Sequence, residues 1–245
     1  MKQKETDAGE RKNTRKGSER EGMLLADEVA QGITERIQSG YYKAGQRLPV
    51  RALCEEFGTS ETPVKQALNQ LVTTGLVDSI PKCGMRVHAY ELKDIRENLE
   101  ARLMIELYCA HFAVELAKRD EDFVSRVEEA FLETTRLDEL CIEEFTRENY
   151  NRISEPDHRM HRSLVESCRN EQIIRMYADL NTHKNMFIGF EGHSPDSLRQ
   201  TIGEHRQIME ALLRGNEAAL RKATEEHITT TLLVQREAWK RRAGS

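Results

Sequence analysis

Beyond Glu91 every stretch of the chain repeats its apolar residues at the three- and four-residue spacing of a helix, interrupted mainly by Pro156, Gly189, Gly192, Pro195 and Gly215. Such a segment buries its apolar stripes by packing helix on helix. The pattern predicts helices over 92–118, 120–143, 145–168, 170–190, 195–214 and 216–241. The loops between them are short enough for antiparallel neighbours. Pro156 falls inside the third helix, where a ring without an N–H predicts a kink or short break just before Asp157. Five prolines, 14 glycines and 6% aromatics in 245 residues leave little material for a large turn-rich sheet. The fold class that follows is mainly α, with an antiparallel bundle of about six helices over 91–241.

The first third of the chain reads differently. Residues 1–21 have no apolar periodicity, and their seven Lys/Arg are diluted by five Asp/Glu, so a disordered tail is expected. From 22 to 90 the signals are local and dense. Leu25, Val29, Ile33 and Ile37 recur every four residues as one helix face, and Gly40 stops it. Gly45 and Pro49 frame a turn. Arg51 to Phe57 forms a second short helix ended by Gly58. Ser60 stands where it can cap a third helix, with Pro63 in its first turn and Val64, Ala67, Leu68 and Leu71 along one side. "LVDSIPKCGMRVHAY" (76–90) then alternates around a Pro-Lys-Cys-Gly turn, which predicts a two-stranded hairpin. Helix, helix, turn, helix and hairpin together make a winged helix-turn-helix.

Charge follows the same division. Residues 1–90 carry 14 Lys/Arg against 12 Asp/Glu, and the remainder 23 against 30. A mildly basic head on an acidic body suits a modular DNA binder. No apolar run approaches the roughly 20 residues needed to cross a bilayer, and the N-terminus lacks the apolar centre of a signal peptide. Cys54, Cys83, Cys109, Cys141 and Cys168 are odd in number and form no C-x-x-C pair. They read as reduced thiols of a cytoplasmic protein.

A helix-turn-helix presents the N-terminal end of its second helix to the major groove. Here that end carries Ser60, Glu61, Thr62, Lys65 and Gln66. Lys65 and Gln66 can reach base edges, while Ser60 and Thr62 suit phosphate or methyl contact. Arg51 begins the preceding helix, and Lys82 and Arg86 lie on the wing, where each can meet phosphate or groove. The stretch "LPVRALCEEFGTSETPVKQALNQLVTTGLV" (48–77) strongly resembles the DNA-binding domain of the GntR family, and "PKCGMRV" resembles its glycine-bearing wing tip. That family usually has arginines where Glu61 and Lys65 stand, so the resemblance implies an altered operator sequence.

In the helical body, Asp157 and His161 are four residues apart and share a helix face. His205 and His227 lie on two later helices. If the three helices pack about one centre, a carboxylate and three imidazoles converge; by spacing alone, a lone histidine is more often a packing or surface group. The segments "DIRENLEARLMIELYCAHFAVELA" (94–117), "DHRMHRSLVESCRN" (157–170), "EHRQIMEALLRGN" (204–216) and "ATEEHITTTL" (223–232) resemble the FCD ligand-binding domain of the FadR subfamily within GntR. The resemblance makes Asp157, His161, His205 and His227 the ligands of a divalent transition metal. Zinc ranks first, with nickel or manganese as alternatives; so nitrogen-rich a set argues against magnesium or calcium. His88, His111, His158, His183 and His193 are expected to be ordinary.

Arg102, in "EARLMIE", matches the arginine that points from the first helix of related domains toward the metal cavity. It could clamp a carboxylate in bidentate fashion, or form a surface salt bridge to Glu106, four residues on. Asn170 is expected to cap the helix that follows it. The expectation is a homodimeric regulator, not an enzyme. Its heads bind a near-palindromic double-stranded DNA operator, and a small organic acid controls that binding. The alternatives are a metal-dependent enzyme, for which spacing marks no spare carboxylate as a base, and a ligand-independent architectural DNA-binding protein with a structural metal.

Overall fold

The computed structural model describes residues 24–89, 91–180 and 190–243. The expected tail, His183 and part of the expected 170–190 helix lie outside them. The chain divides between Ala89 and Tyr90 into two compact units.

The first unit runs α1 (24–38), α2 (Val50–Phe57), α3 (Glu61–Thr73), β1 (Val77–Ile80) and β2 (Gly84–Val87). Its core gathers Val29, Ile33, Leu53, Val64, Leu68, Leu71, Val77 and Val87. Each such fully buried aliphatic side chain contributes about 1.5–3 kcal/mol. The buried face of α1 is Ala26, Val29, Ala30 and Ile33, and Leu25 is exposed, because spacings of three and four follow the 3.6-residue turn where a strict four drifts off it. Gly58 closes α2 in the left-handed region at φ 61°, which turns the chain sharply toward α3. The strands pair antiparallel, Val77 with Val87 and Ile80 with Gly84. Lys82 takes φ 62° in the turn between them. An antiparallel bridge from Arg47 to Arg86 ties the wing to the segment before α2.

The second unit contains α4 (Leu92–Ala117), α5 (Glu121–Glu143), α6 (Arg147–Glu166), α7 (Glu171–Asp179), a 3-10 turn at Phe190–Gly192, α8 (Pro195–Leu213) and α9 (Glu217–Ala243). Helix starts follow the local chemistry. Asp120 accepts from the Phe123 N–H, Thr146 from Asn149, Asn170 from Gln172 and Ile173, and Ser194 forms a capping box with Ser197. α6 is continuous through Pro156, so the expected short break is absent. Burial of Pro156 among the residues α6 packs inward offsets the one hydrogen bond that the ring removes. Only 171–179 of the expected 170–190 segment is described as helix. α5 packs on α6 and α8, and α4 on α6 and α9. The main core joins Ala113, Phe123, Val127, Met160, Ile208 and Leu212. Gly192 lets the 3-10 turn lie directly on α9, where a Cβ would strike the Val234 carbonyl. Among the described residues no helix is long and apolar enough to cross a membrane.

Candidate metal centre and nucleic-acid interface

Three helices of the second unit bring Asp157 and His161 (α6), His205 (α8) and His227 (α9) together, all buried, with one ligand atom from each lying within 4.8 Å of the others. Asp157 Oδ1 is 3.2 Å from His205 Nε2 and 3.9 Å from His161 Nε2. The two Nε2 atoms are 3.4 Å apart. Bonds of about 2.0–2.2 Å to a tetrahedral zinc place its ligand atoms roughly 3.3–3.6 Å apart; the two separations from His205, 3.2 and 3.4 Å, are near that spacing, the 3.9 Å from Asp157 to His161 is wider, and the donor set fits such an ion in chemistry.

Two of the imidazoles are held from behind. His161 Nδ1 meets Glu106 Oε2 at 2.9 Å, and His227 Nδ1 meets Glu204 Oε2 at 3.1 Å. A carboxylate on Nδ1 fixes the proton there and leaves Nε2 for an ion. Burial alone would raise the Asp157 carboxyl, but the His205 hydrogen bond and the neighbouring His161, His205 and Arg102 hold it far below the usual range. Burial lowers His161, and it takes His227 down to about 4, with the neighbouring His205 lowering it further. The carboxylate is therefore ionised and these two imidazoles neutral at pH 7, the forms that bind metal.

Arg102 lies in this same interior. It is 5% exposed and its Nε donates to Glu106 Oε1 at 2.7 Å. The salt bridge to Glu106 therefore exists, but it is buried and not on the surface. Glu106 also accepts from the Tyr177 hydroxyl at 2.9 Å, so one carboxylate organises Arg102, Tyr177 and His161. Burial works against the charge of Glu106, yet Arg102 and His161 keep it ionised well below its ordinary value. Arg102 Nη2 has no hydrogen-bond partner. An unpartnered buried guanidinium nitrogen beside the cluster is suited to an incoming anion.

Sequence reasoning missed Glu106 and Glu204 as supports and Asp138 altogether. Asp138, on α5, is fully buried, neither of its oxygens has a hydrogen-bond partner, and burial pushes its carboxyl up to about 7. The only sequence signal for Glu106 is its four-residue spacing from Arg102; Glu204 and Asp138 have none. Two of the histidines set aside as ordinary also help build the interior. His158 stacks on Tyr177 with ring centroids 5.8 Å apart, and His193 lies 5.0 Å from the Tyr150 ring. Burial lowers both to about 4. His88 pairs with Asp78 and His111 with Glu217.

In the first unit Ser60, Glu61, Thr62, Lys65 and Gln66 form an exposed face at the start of α3, opposite the buried Val64, Ala67 and Leu68. Asn69 continues that face and was not singled out by the sequence. Ser60 occupies the N-cap position, but its side chain makes no capping bond. Lys65 Nζ donates to Glu61 Oε2 at 2.6 Å, so the two residues that depart from the family pattern are partners. Arg51 is exposed beside Glu55, 3.4 Å away, and Lys82 is exposed at the wing tip. Arg86 is half-buried on β2 with its Nε enclosed, away from the tip.

A winged helix-turn-helix head and a helical body with a buried polar centre define a DNA-binding regulator with an effector domain. Residues 25–87 match the family described as bacterial regulatory proteins, gntR family, and residues 97–230 match the FCD domain. The chain belongs to the GntR family and carries an FCD domain. The probable D-xylose utilization operon transcriptional repressor of Paenarthrobacter nicotinovorans is 24% identical over 208 residues, 85% of this chain and 87% of its own. The Uxu operon transcriptional regulator of Escherichia coli K12 is 26% identical over 221 residues, 82% of each chain. Escherichia coli McbR/YncC superposes with a TM-score of 0.68 at 19% identity, covering 88% of this chain and 98% of that one, a likeness of fold. The family is one of transcription regulators and not of enzymes, which removes the metal-dependent enzyme as an alternative.

Proposed function

We propose that this regulator is a cytoplasmic homodimeric repressor whose affinity for a near-palindromic operator is set by a small organic acid bound beside a divalent transition metal, with zinc the first choice. The observation that carries this reading is Arg102, buried next to Asp157 and the histidine cluster with Nη2 still able to donate. Asp157, His161, His205 and His227 would hold the ion, and a bound ion supplies a Lewis acid for one carboxylate oxygen. Arg102 takes the other oxygen, Glu106 holds the guanidinium in place, and Tyr177 holds Glu106. The two relatives described above are both operon regulators, one of them of a D-xylose utilization operon, which supports a catabolic role. On the DNA side, Lys65 and Gln66 read bases, Arg51, Ser60 and Thr62 position α3, and Lys82 and Arg86 serve the wing. Acid and operator affinities change each other by the same factor.

The test is a fluorescence-polarisation titration with DNA from upstream of its own gene at about 150 mM salt, with and without candidate acids. Sequence-selective, salt-sensitive binding that one acid weakens supports the reading; an Arg102→Lys variant that keeps the full acid response overturns the clamp. Metal binding with no effector response favours the architectural alternative.

A further inference from the structure

The first unit holds a groove of about 480 Å³ between α3 and the wing. Leu48, Leu68 and Met85 give it an apolar floor, and Arg47, Lys65 and Asn69 supply polar groups along it. Its position matters for DNA. With α3 in the major groove and the wing at the minor groove beside it, the two elements stand on either side of one sugar-phosphate backbone. Whatever lies between α3 and the wing therefore faces that backbone.

Arg47 is the charge suited to it. Lys65 already holds Glu61 at 2.6 Å, whereas Arg47 is exposed and makes no ion pair with a described residue. Its partner in the antiparallel bridge is Arg86. Residues directly opposite in such a pair have Cβ atoms about 4.5–5.5 Å apart, and like charges there are destabilising. Asp78, across from Arg86 on β1, is bound to His88 at 2.8 Å, and Arg86 Nε is buried without a partner. Two guanidiniums are thus set side by side with no described acid paired to either, an arrangement that a phosphate relieves. Asn69 is exposed one helical turn beyond Lys65, and its amide can donate to a phosphate oxygen.

We propose that this groove seats one strand of the operator backbone, with Arg47 binding a phosphate, Asn69 donating to the same strand, and the apolar floor receiving the deoxyribose. The proposal rests on α3 and the wing docking on DNA as described under the proposed function.

The test is a fluorescence-polarisation salt series with the full chain on two duplexes, DNA from upstream of its own gene and a random sequence of equal length. Arg47→Ala should weaken both by the same factor and reduce the slope of log affinity against log salt by about one, the share of one phosphate contact. Arg47→Lys keeps the charge and should keep the slope. Asn69→Ala should weaken both duplexes with the slope unchanged, since a neutral amide releases no counterion. Arg47→Ala should melt no lower than wild type, because one of two opposed arginines has been removed. A neutral methylphosphonate moved along the upstream duplex should find a position that costs wild type affinity and costs Arg47→Ala nothing further. An unchanged salt slope in Arg47→Ala overturns the proposal. So does a loss confined to the upstream duplex in either alanine variant, which marks a base reader. If no methylphosphonate position distinguishes wild type from Arg47→Ala, the phosphate contact is overturned even where the variant melts early. Wild-type protein that binds neither duplex overturns the docking itself and this inference with it.

Discussion

Glu106 of α4 and His161 of α6 lie 55 residues apart in sequence and meet at 2.9 Å, both closed off from solvent. The same carboxylate binds Arg102, so Glu106 joins the histidine cluster to the guanidinium proposed to take the acid. Glu106→Ala leaves a buried guanidinium without its counter-charge and should destabilise the protein by about 3–5 kcal/mol. Glu106→Gln, which keeps the shape, should cost less while still weakening zinc roughly 10–100-fold. Thermal melting and zinc competition on both variants separate the two effects; equal stability of wild type and Glu106→Ala would refute the link.

The four proposed ligands make a sharper prediction about metal content. The double variant His205→Ala, His227→Ala keeps Asp157 and His161 but loses two of three imidazoles, and elemental analysis of the purified protein should find it free of transition metal. Adding a chelator to wild type should lower its melting temperature, because a ligand that binds only the folded state stabilises it by mass action. Unchanged metal content in the double variant rejects the assignment.

Acid should weaken the metal-free protein in a defined window. His158 and His193 titrate near 6.5 when unfolded and at about 4 when folded, lowered in both by burial. Between those values the unfolded chain holds protons that the folded chain refuses, so the contribution of these two rings is complete above pH 6.5 and is lost as pH drops toward 4; Asp138, raised to about 7 by burial, offsets part of that loss with the opposite sign. Melting temperatures of chelated protein should decline across that interval, and His193→Phe should flatten part of the slope. An unchanged slope in His193→Phe contradicts the burial of that ring.

On the head, Gln66→Ala should cost about 1–3 kcal/mol on the cognate operator and relax specificity at one base pair. Lys82→Ala should weaken all sequences alike and reduce the salt slope by about one. Glu61→Ala frees Lys65 from its 2.6 Å partner and should raise affinity while changing base preference nearby. Polarisation titrations over a salt series and a set of single-base operator variants measure all three. An unchanged preference in Glu61→Ala shows that the pair does not read DNA.

How far the sequence could be read depended on how local each feature is. The winged head was legible because its signals lie within a few residues of what they control, as Gly58 does for the end of α2. Asp157 and His161 were legible as a pair because one helical turn separates them. Glu204 was not, since a support is defined by which side chain stands behind it, and that is settled by packing between distant helices. Arg102 shows the intermediate case: spacing identified its partner Glu106, but only the bundle reveals that both are inside it. Leu25 erred for the opposite reason, a regular spacing that the helical period does not quite follow.

The four proposed ligands come from α6, α8 and α9, so the cluster exists only after the last helix has docked. An ion held there gains little from a partly folded chain and much from the finished one. Contacts made after the folding barrier slow escape from the native state without hastening arrival. The metal should therefore act as a kinetic clasp: chelation speeds unfolding severalfold and leaves refolding nearly unchanged, and the protein's lifetime in the cell becomes tied to its supply of the ion.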